Sequence, residues 1–495
     1  MYKRFILLSA CTLSFVSSIQ AQTDTFQERF MQFRKQVDDE FESYWNEVNE
    51  KYADFILQTW ERFNAEPAVS RPKEEKRVKP EIFPQQDTVR PFIDTPLPVI
   101  AIVKPVVPEK QPTPIAPIEE IPIPIRQQEK IVTAVRWGTS FPVRFTDNQR
   151  FTLSGTDNES IACAWKKISG KEYNNTVRDC LLLRAERRLN DWAYLCMLQS
   201  LSVELFGESN EAVLFMANVF CKSGYKMRLA RSGEKLFMLF ASRHFIYEKN
   251  FFRIEDECFY LFGGNVDNLE LCPGVYPGEK PLSLRITEQP LLEITPSDER
   301  ILTSKSFKDM EITIHVNENI MKLCSEYPAS SLGDDFMTRW AMYANTTIAD
   351  DVKSELYPQL QKQIEGHSQQ EAVNMLLNWV QTAFSYEYDE TVWGADRAFF
   401  AEETLFYPFC DCEDRSILFS HLVRDLVGLD VILVYYPGHL AVAVAFTENV
   451  IGDYITVDEK RFVVCDPTYI NAPVGMSMPN LDKDNIRVIK LDSPH

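Results

Sequence analysis

The chain contains no Cys-x-x-Cys pair and no tandem cysteine–histidine pattern, so no zinc-finger framework is legible in it. Past its first residues, no apolar run reaches the roughly 18 residues that a membrane helix needs, and no integral membrane span is expected. Positive charge is short: 52 Lys and Arg stand against 72 Asp and Glu, a net charge of −20. That balance disfavours nucleic acid or an anionic membrane surface as the main partner. Nothing in the sequence suggests a calcium loop. Glycine is missing altogether between residues 67 and 124. What remains is a chain of 495 residues, 45% hydrophobic and 25% charged, the composition of a globular protein of two or three domains.

The N-terminus, "MYKRFILLSACTLSFVSSIQAQ", has a basic start at Lys3 and Arg4, an apolar core over Phe5–Val16 and a polar end closing on Ala21. This is the layout of a secretory signal peptide over residues 1–21. It implies export to a periplasmic, cell-envelope or extracellular location. A lipoprotein cleavage box at Leu8–Cys11 ranks second, because it leaves too short a leader. An exported protein can pair its cysteines, and a Cys410–Cys465 disulfide is one candidate.

Residues 24–64 carry an 11-residue repeat of large apolar side chains. Phe26, Val37 and Val48 form one column, Phe30, Phe41, Tyr52 and Phe63 a second, and Phe33, Tyr44 and Phe55 a third. A period of 11 gives about 3.67 residues per turn, which keeps one stripe along a nearly straight helix about 60 Å long. The helix is expected over 22–66. Its stripe must be buried, either on its own chain or in self-association or on a protein partner. From 67 to 128 the texture changes, with half of the chain's 28 prolines lying among Val, Ile, Lys and Glu. Such a segment should be extended and semi-rigid, a spacer and not a folded unit.

Two folded regions are expected beyond it, over 129–290 and 291–495. "DWAYLCMLQSLSVELFG" reads as a helix, "MEITIHV" as a strand and "EAVNMLLNWVQTAFSYEYD" as a helix. The chemistry gathers near the end. "CEDRSILFSHLVRDLVGL" places Ile417, Leu418, Leu422, Val423, Leu426 and Val427 on one helical face, with Gly428 as its stop. Cys412 therefore stands at a helix N-terminus, where backbone N–H groups favour thiolate. A strand "DVILVYY", a "PG" turn and a second strand opened by His439 follow. A third strand, "RFVVC", ends at Asp466. Cys412, His439 and Asp466 lie at equal intervals. A thiolate attacks an acyl carbon, an imidazole shuttles the proton and a carboxylate orients the imidazole. Zinc held by Cys410, Cys412, Cys465 and His439 is the competing arrangement, but its C-x-C spacing is atypical. His244, His315 and His421 read as structural.

On these residues, "DCEDRSILFSHLVRDLVGL", "YPGHLAVAV" and "CDPTY", the C-terminal region resembles the transglutaminase-like superfamily, nearest its bacterial cysteine protease or amidase members. The resemblance covers about 370–475. It implies Cys412 as nucleophile, His439 as general base and acid, and Asp466 as the orienting group. It also implies a peptide or protein substrate whose amide acyl group is hydrolysed or transferred, and no cofactor or metal. The family usually has glycine shortly before its cysteine, where this chain has Cys410 and Asp411. An aromatic usually follows its histidine, where Leu440 and Ala441 stand here.

The expected fold class is α+β. A papain/transglutaminase-like C-terminal domain, a helix packed on an antiparallel sheet, follows an α/β domain that is itself a candidate degenerate copy. Residues 209–240 overlay 413–444 at a constant offset of 204, pairing Leu214 with Leu418, Gly224 with Gly428 and Leu229 with Leu433. Glu208 then falls at the place of Cys412 and Lys235 at that of His439. Unrelated strand orders would sink this idea. The reading from a different class is a catalytically inactive envelope scaffold, in which the N-terminal helix and spacer carry the function.

Overall fold

A computed structural model describes residues 43–44, 46–73, 78–84, 93–104, 110–114, 118–122, 129–333 and 335–492. The signal peptide, the Leu8–Cys11 box and the first part of the aromatic repeat lie outside these residues. The chain is α+β, built on two large, mainly antiparallel sheets with helices against them. Among the described residues no helix is long and apolar enough to cross a membrane.

The three elements read from pattern stand near their expected places, as the Asp191–Phe206 helix, the Glu311–Ile314 strand and the Gln369–Ala383 helix. Ser368 and Glu371 close a capping box on the last of these, which satisfies two orphan N–H groups at its start. Glycine ends the first at Gly207.

The N-terminal helix departs from expectation. It is helical at 43–44 and over 46–57 and stops there, and Glu61–Asn64 is a strand on the edge of the first sheet. The helix buries Val48, Tyr52, Ala53 and Ile56, a narrower stripe than the repeat suggested, while Tyr44 is exposed. Tyr52 is only 1% exposed and packs its ring 4.6 Å from Trp165 and 5.0 Å from Tyr276. The described part of the helix is thus docked on its own chain. Periodicity measures which residues share a face; it does not see where sheet pairing outcompetes the next helical turn.

The proline-rich segment is extended, but it is not a free spacer. Thr95–Pro96 and Ala101–Val103 form the two outer strands of the seven-stranded C-terminal sheet, one at each edge and both parallel to their neighbours. Proline lacks an N–H, yet an edge strand needs to bond on one side only. Leu97 donates its N–H to Tyr454 O at 2.8 Å and buries its side chain. Val103 is buried at the other edge. Burying such a side chain stabilises by about 1.5–3 kcal/mol, enough to offset the roughly 1–2 kcal/mol of backbone entropy lost in fixing the residue.

The two sheets share one plan. In the second half the strands Val431–Tyr436, His439–Val444, Asp453–Val457, Lys460–Cys465 and Arg487–Lys490 lie in the order fifth, first, second, fourth, third. In the first half Met227–Ser232, Lys235–Ser242, Phe251–Ile254, Glu257–Phe262 and Asn268–Leu271 lie in that same order. A helix precedes each set, Asn210–Lys222 in one and Cys412–Leu422 in the other. Register agrees too: Ser232 pairs with Lys235 as Tyr436 pairs with His439. The N-caps, Ser209 and Asp411, place Asn210, not Glu208, opposite Cys412. The second helix continues through a π-helical turn, Val423–Val427, before its left-handed Gly428, and that turn takes up the difference in length. Strand pairing sets Phe262 opposite Met238 and Cys465 opposite Val442, so Gly263 occupies the place of Asp466.

The halves are not separated by a linker. One continuous core runs from Tyr52 through both, and Ser330–Leu332 of the second half pairs with His244–Ile246 of the first. Tyr52→Ala should therefore lower stability by about 3–5 kcal/mol, the usual loss for a buried aromatic. Urea unfolding checks this, and an unchanged midpoint would show that the helix does not belong to this core.

Candidate active site

The helix that opens at Cys412 owes its position to its cap. Asp411 accepts a hydrogen bond from the Glu413 N–H at 3.0 Å, while its own N–H donates to Asp414 Oδ2 at 3.0 Å. The helix is buried on every side, not on one face as its pattern suggested: Asp414, Arg415, Ser416 and Ser420 are as enclosed as Ile417 and Leu418. Cys412, its first residue, is half-buried.

Asp466 is fixed by the turn that it begins. Its Oδ1 accepts the N–H of Thr468 at 2.9 Å and of Tyr469 at 3.2 Å, the local bonding that lets aspartate start a turn. That leaves Oδ2 for His439 Nε2, at 2.9 Å, with both side chains fully buried. His439 opens its strand directly after the Pro437–Gly438 turn, where Gly438 has φ 83°. The other ring nitrogen, Nδ1, is buried and has no hydrogen-bond partner among the described residues. Cys412 and His439 line one small cleft, of about 30 Å³, together with Trp340, Tyr386, Tyr388 and Tyr435. The structure thus brings all three residues read from sequence to one place.

Several residues that hold them there were not legible. Arg415, 1% exposed, donates to the carbonyls of Phe384 at 2.8 Å, Gln381 at 3.2 Å and Pro467 at 3.4 Å. Gln381 donates to Asp466 O and Ala472 O, each at 3.0 Å, and accepts from Asn471 N at 3.0 Å. Ser416 Oγ donates to Leu440 O at 3.0 Å, tying the helix to the His439 strand. A polar residue inside an apolar helical pattern was the available signal for each. Val78, apolar and outside any helix, carried no such signal: its N–H donates to Gly438 O at 3.3 Å and the residue lines the cleft.

The helix carries two acids in its first turn, Glu413 and Asp414. Glu413 and Asp414 are buried. Burial, then Asp396 and Asp411, push the Glu413 carboxyl well above its usual range; burial, then Asp411 and Asp389, do the same for Asp414. Asp389, Asp396 and Glu413 converge closely enough to hold a metal ion, as do Asp411, Glu413 and Asp414. Most of these oxygens are already engaged, although Glu413 Oε1 is buried without a hydrogen-bond partner among the described residues. Arg339 lies 3.2 Å from Asp396 and 3.8 Å from Glu413, and Trp340 Nε1 donates to Glu413 at 2.6 Å. Phe399 N and Asp411 N occupy the two oxygens of Asp414.

The disulfide between Cys410 and Cys465 is not formed; all described cysteines are free. Cys410 is buried with its Sγ 3.5 Å from Arg415 Nε, and Cys465 Sγ donates to Val463 O at 3.6 Å. Neither lines the cleft. His421 and His244 are buried, and burial pushes their pKa values down to about 3 and about 4. His315 sits 2.9 Å from Glu355, away from the cleft.

Comparison with protein-family models, with curated proteins and with solved structures gives no match.

Two measurements follow from this geometry. Val78→Gly removes a side chain from the cleft wall and should raise the alkylation rate of Cys412 by iodoacetamide several-fold; an unchanged or slower rate would show that Val78 does not restrict access. The second concerns pH. The fold keeps the Glu413 proton at pH values where the unfolded chain, with its ordinary value near 4.5, has lost it. The contribution of this group is therefore full below about pH 4.5 and shrinks as pH rises. Glu413→Gln retains an acceptor for Trp340 without the titration, so its urea midpoint should fall less than the native one between about pH 5 and about pH 8. Identical pH dependence in the two proteins would contradict a buried, protonated Glu413.

Proposed function

We propose that this protein is a cysteine-dependent acyl-transfer enzyme of the transglutaminase-like type, with Cys412, His439 and Asp466 as its catalytic residues. A peptide or protein is the substrate in this reading. The observation that carries it is the state of His439: Nε2 is held by Asp466, while Nδ1 is buried, unpaired and on the cleft that Cys412 shares. A buried imidazole nitrogen without a partner costs free energy, and a catalytic role is one explanation for its retention. The helix packed on an antiparallel sheet, with the three residues at a helix start, a strand start and a strand end, is the arrangement expected of a papain/transglutaminase-like domain.

In this mechanism Cys412 passes its proton to His439 Nδ1 and the thiolate attacks the amide carbon. The amide nitrogen leaves with the proton returned from Nδ1, and a thioester to Cys412 remains. Water or an amine then attacks the thioester, giving its proton to Nδ1, and the thiolate departs to recover it. Asp466 keeps the proton of His439 on Nε2 and steadies the imidazolium. The backbone N–H of Cys412 is the candidate donor to the oxyanion. Export through the N-terminal segment, to the periplasm, cell envelope or exterior, belongs to the same proposal.

The first half, with Asn210, Lys235 and Gly263 at the three corresponding places, is on this reading a copy that retains the scaffold without the chemistry. A catalytically inactive scaffold is the second reading, favoured by the cleft's volume of only about 30 Å³.

Alkylation by iodoacetamide near neutral pH, read by mass spectrometry for every cysteine, separates the two. An enzyme should show Cys412 reacting faster than the exposed Cys163, and His439→Ala should slow that reaction by about 10²-fold, the low end for loss of a general base. Reaction of Cys412 no faster than Cys163, or indifferent to His439→Ala, would leave the scaffold as the correct account.

A further inference from the structure

Residues 78–83 lie across the two turns that carry His439 and Asp466. At one end the Val78 N–H donates to Gly438 O at 3.3 Å, one residue before His439. At the other, the Phe83 N–H donates to Ile470 O at 2.8 Å and Glu81 O accepts the Ile470 N–H at 2.9 Å, four residues after Asp466. These two bonds set Ile82 beside Ile470 in a parallel bridge. The Phe83 ring meets Tyr469 edge-on at 5.6 Å, and Asn480 Nδ2 donates to Glu81 Oε1 at 2.7 Å. Val78 itself lines the cleft with Cys412 and His439.

This is how an extended peptide adds to exposed backbone: main-chain bonds supply affinity, and the side chains between them supply specificity. The segment is also lightly held. None of residues 78–84 is fully buried, and Ile82 is 71% exposed. Leu97 and Val103, later in the same proline-rich stretch, are buried in edge strands, so the fold depends on them and not on residues 78–83. Segments with few buried apolar contacts open at low free-energy cost. Tethering offsets that weakness, because a segment joined to its site by a short chain acts at an effective concentration in the millimolar range. With Val78 in place the cleft, of about 30 Å³, has space for water and not for a peptide.

We propose that residues 78–83 are a displaceable strap, occupying in cis the groove that an extended peptide substrate enters in trans. The proposal rests on Cys412 being the nucleophile of a peptide-directed enzyme. The peptide that fits has an apolar residue whose N–H meets Gly438 O and, five residues later, an aromatic side chain for Tyr469, with main-chain groups beside it for Ile470. Strap and substrate exclude one another, so the protein is latent until such a peptide displaces Val78 from the cleft.

Two thiol reagents of different size, iodoacetamide and fluorescein maleimide, measure access to Cys412 in the full chain by mass spectrometry. Phe83→Ala removes the ring from Tyr469 at a position outside the cleft. It should raise the maleimide rate at Cys412 about tenfold and the iodoacetamide rate less, so that the ratio of the two rises. Acetyl-Val-Lys-Pro-Glu-Ile-Phe-amide, the strap's own sequence, should reverse most of that rise at about 5 mM, and a scrambled hexapeptide should not. Reaction of the buried Cys410 and Cys465 would show that Phe83→Ala has opened the core; Phe83→Leu, which keeps an apolar side chain without the edge-on ring, then takes its place. An unchanged ratio, or equal protection by the scrambled peptide, overturns the proposal. The enzyme itself is tested separately by His439→Ala. A ratio that rises in a protein indifferent to His439→Ala keeps the strap as a cover and removes the enzyme, and an unchanged ratio with histidine-dependent reactivity does the reverse.

Discussion

The C-terminal half is organised around a buried guanidinium. Arg415 lies one helical turn into the Cys412 helix and is directed at three backbone carbonyls from two other places: Gln381 and Phe384 at the end of one helix, and Pro467 in the turn after Asp466. A buried cation is expensive to leave unsatisfied, so these carbonyls are constrained to face it. The Tyr386 ring closes over it at 5.3 Å. Cys412 and Asp466 belong to segments that meet through this one side chain. The relation between thiol and carboxylate is therefore a consequence of charge burial as much as of strand order.

A second constraint acts on His439. The carboxylate of Asp466 is divided, one oxygen satisfying its own turn and the other taking the imidazole Nε2. This division leaves no freedom for the ring to present its other nitrogen elsewhere. Gln381 reinforces it by bonding to the Asp466 carbonyl. The site is consequently rigid at its histidine and carboxylate. The thiol side is bounded by Val78, which belongs to a segment remote in sequence.

The two sheets with one strand order give the chain an internal comparison. Hairpin register, helix and left-handed glycine are kept in both, while the residues at the three critical places differ. Scaffold positions such as Leu214 and Leu418 face a core in each half, where only size and apolarity matter. Asn210, Lys235 and Gly263 are free of the geometric demand that a thiol, an imidazole and a carboxylate would impose. Packing between the halves is continuous, so the first half contributes core to the second whether or not it has a chemistry of its own.

Sequence by itself determined the elements whose signals are local. The helix from Cys412 to the left-handed Gly428, the strand opened by His439 and the turn begun by Asp466 were legible because caps, periodicity and turn chemistry act over a few residues. The 204-residue offset between the halves was legible for the same reason, though cap geometry moved the counterpart of Cys412 by two places, from Glu208 to Asn210. Tertiary structure alone decided what depends on distant partners. The aromatic repeat gave way to a strand at Glu61 because a sheet edge was available, and the proline-rich segment became two edge strands because the second sheet offered both its edges. Glu413 and Asp414 are buried, and nothing in the local sequence reports Trp340, Arg339 or Phe399 arriving from elsewhere. Local chemistry specifies which groups are offered; only the closed fold specifies which of them lose their water.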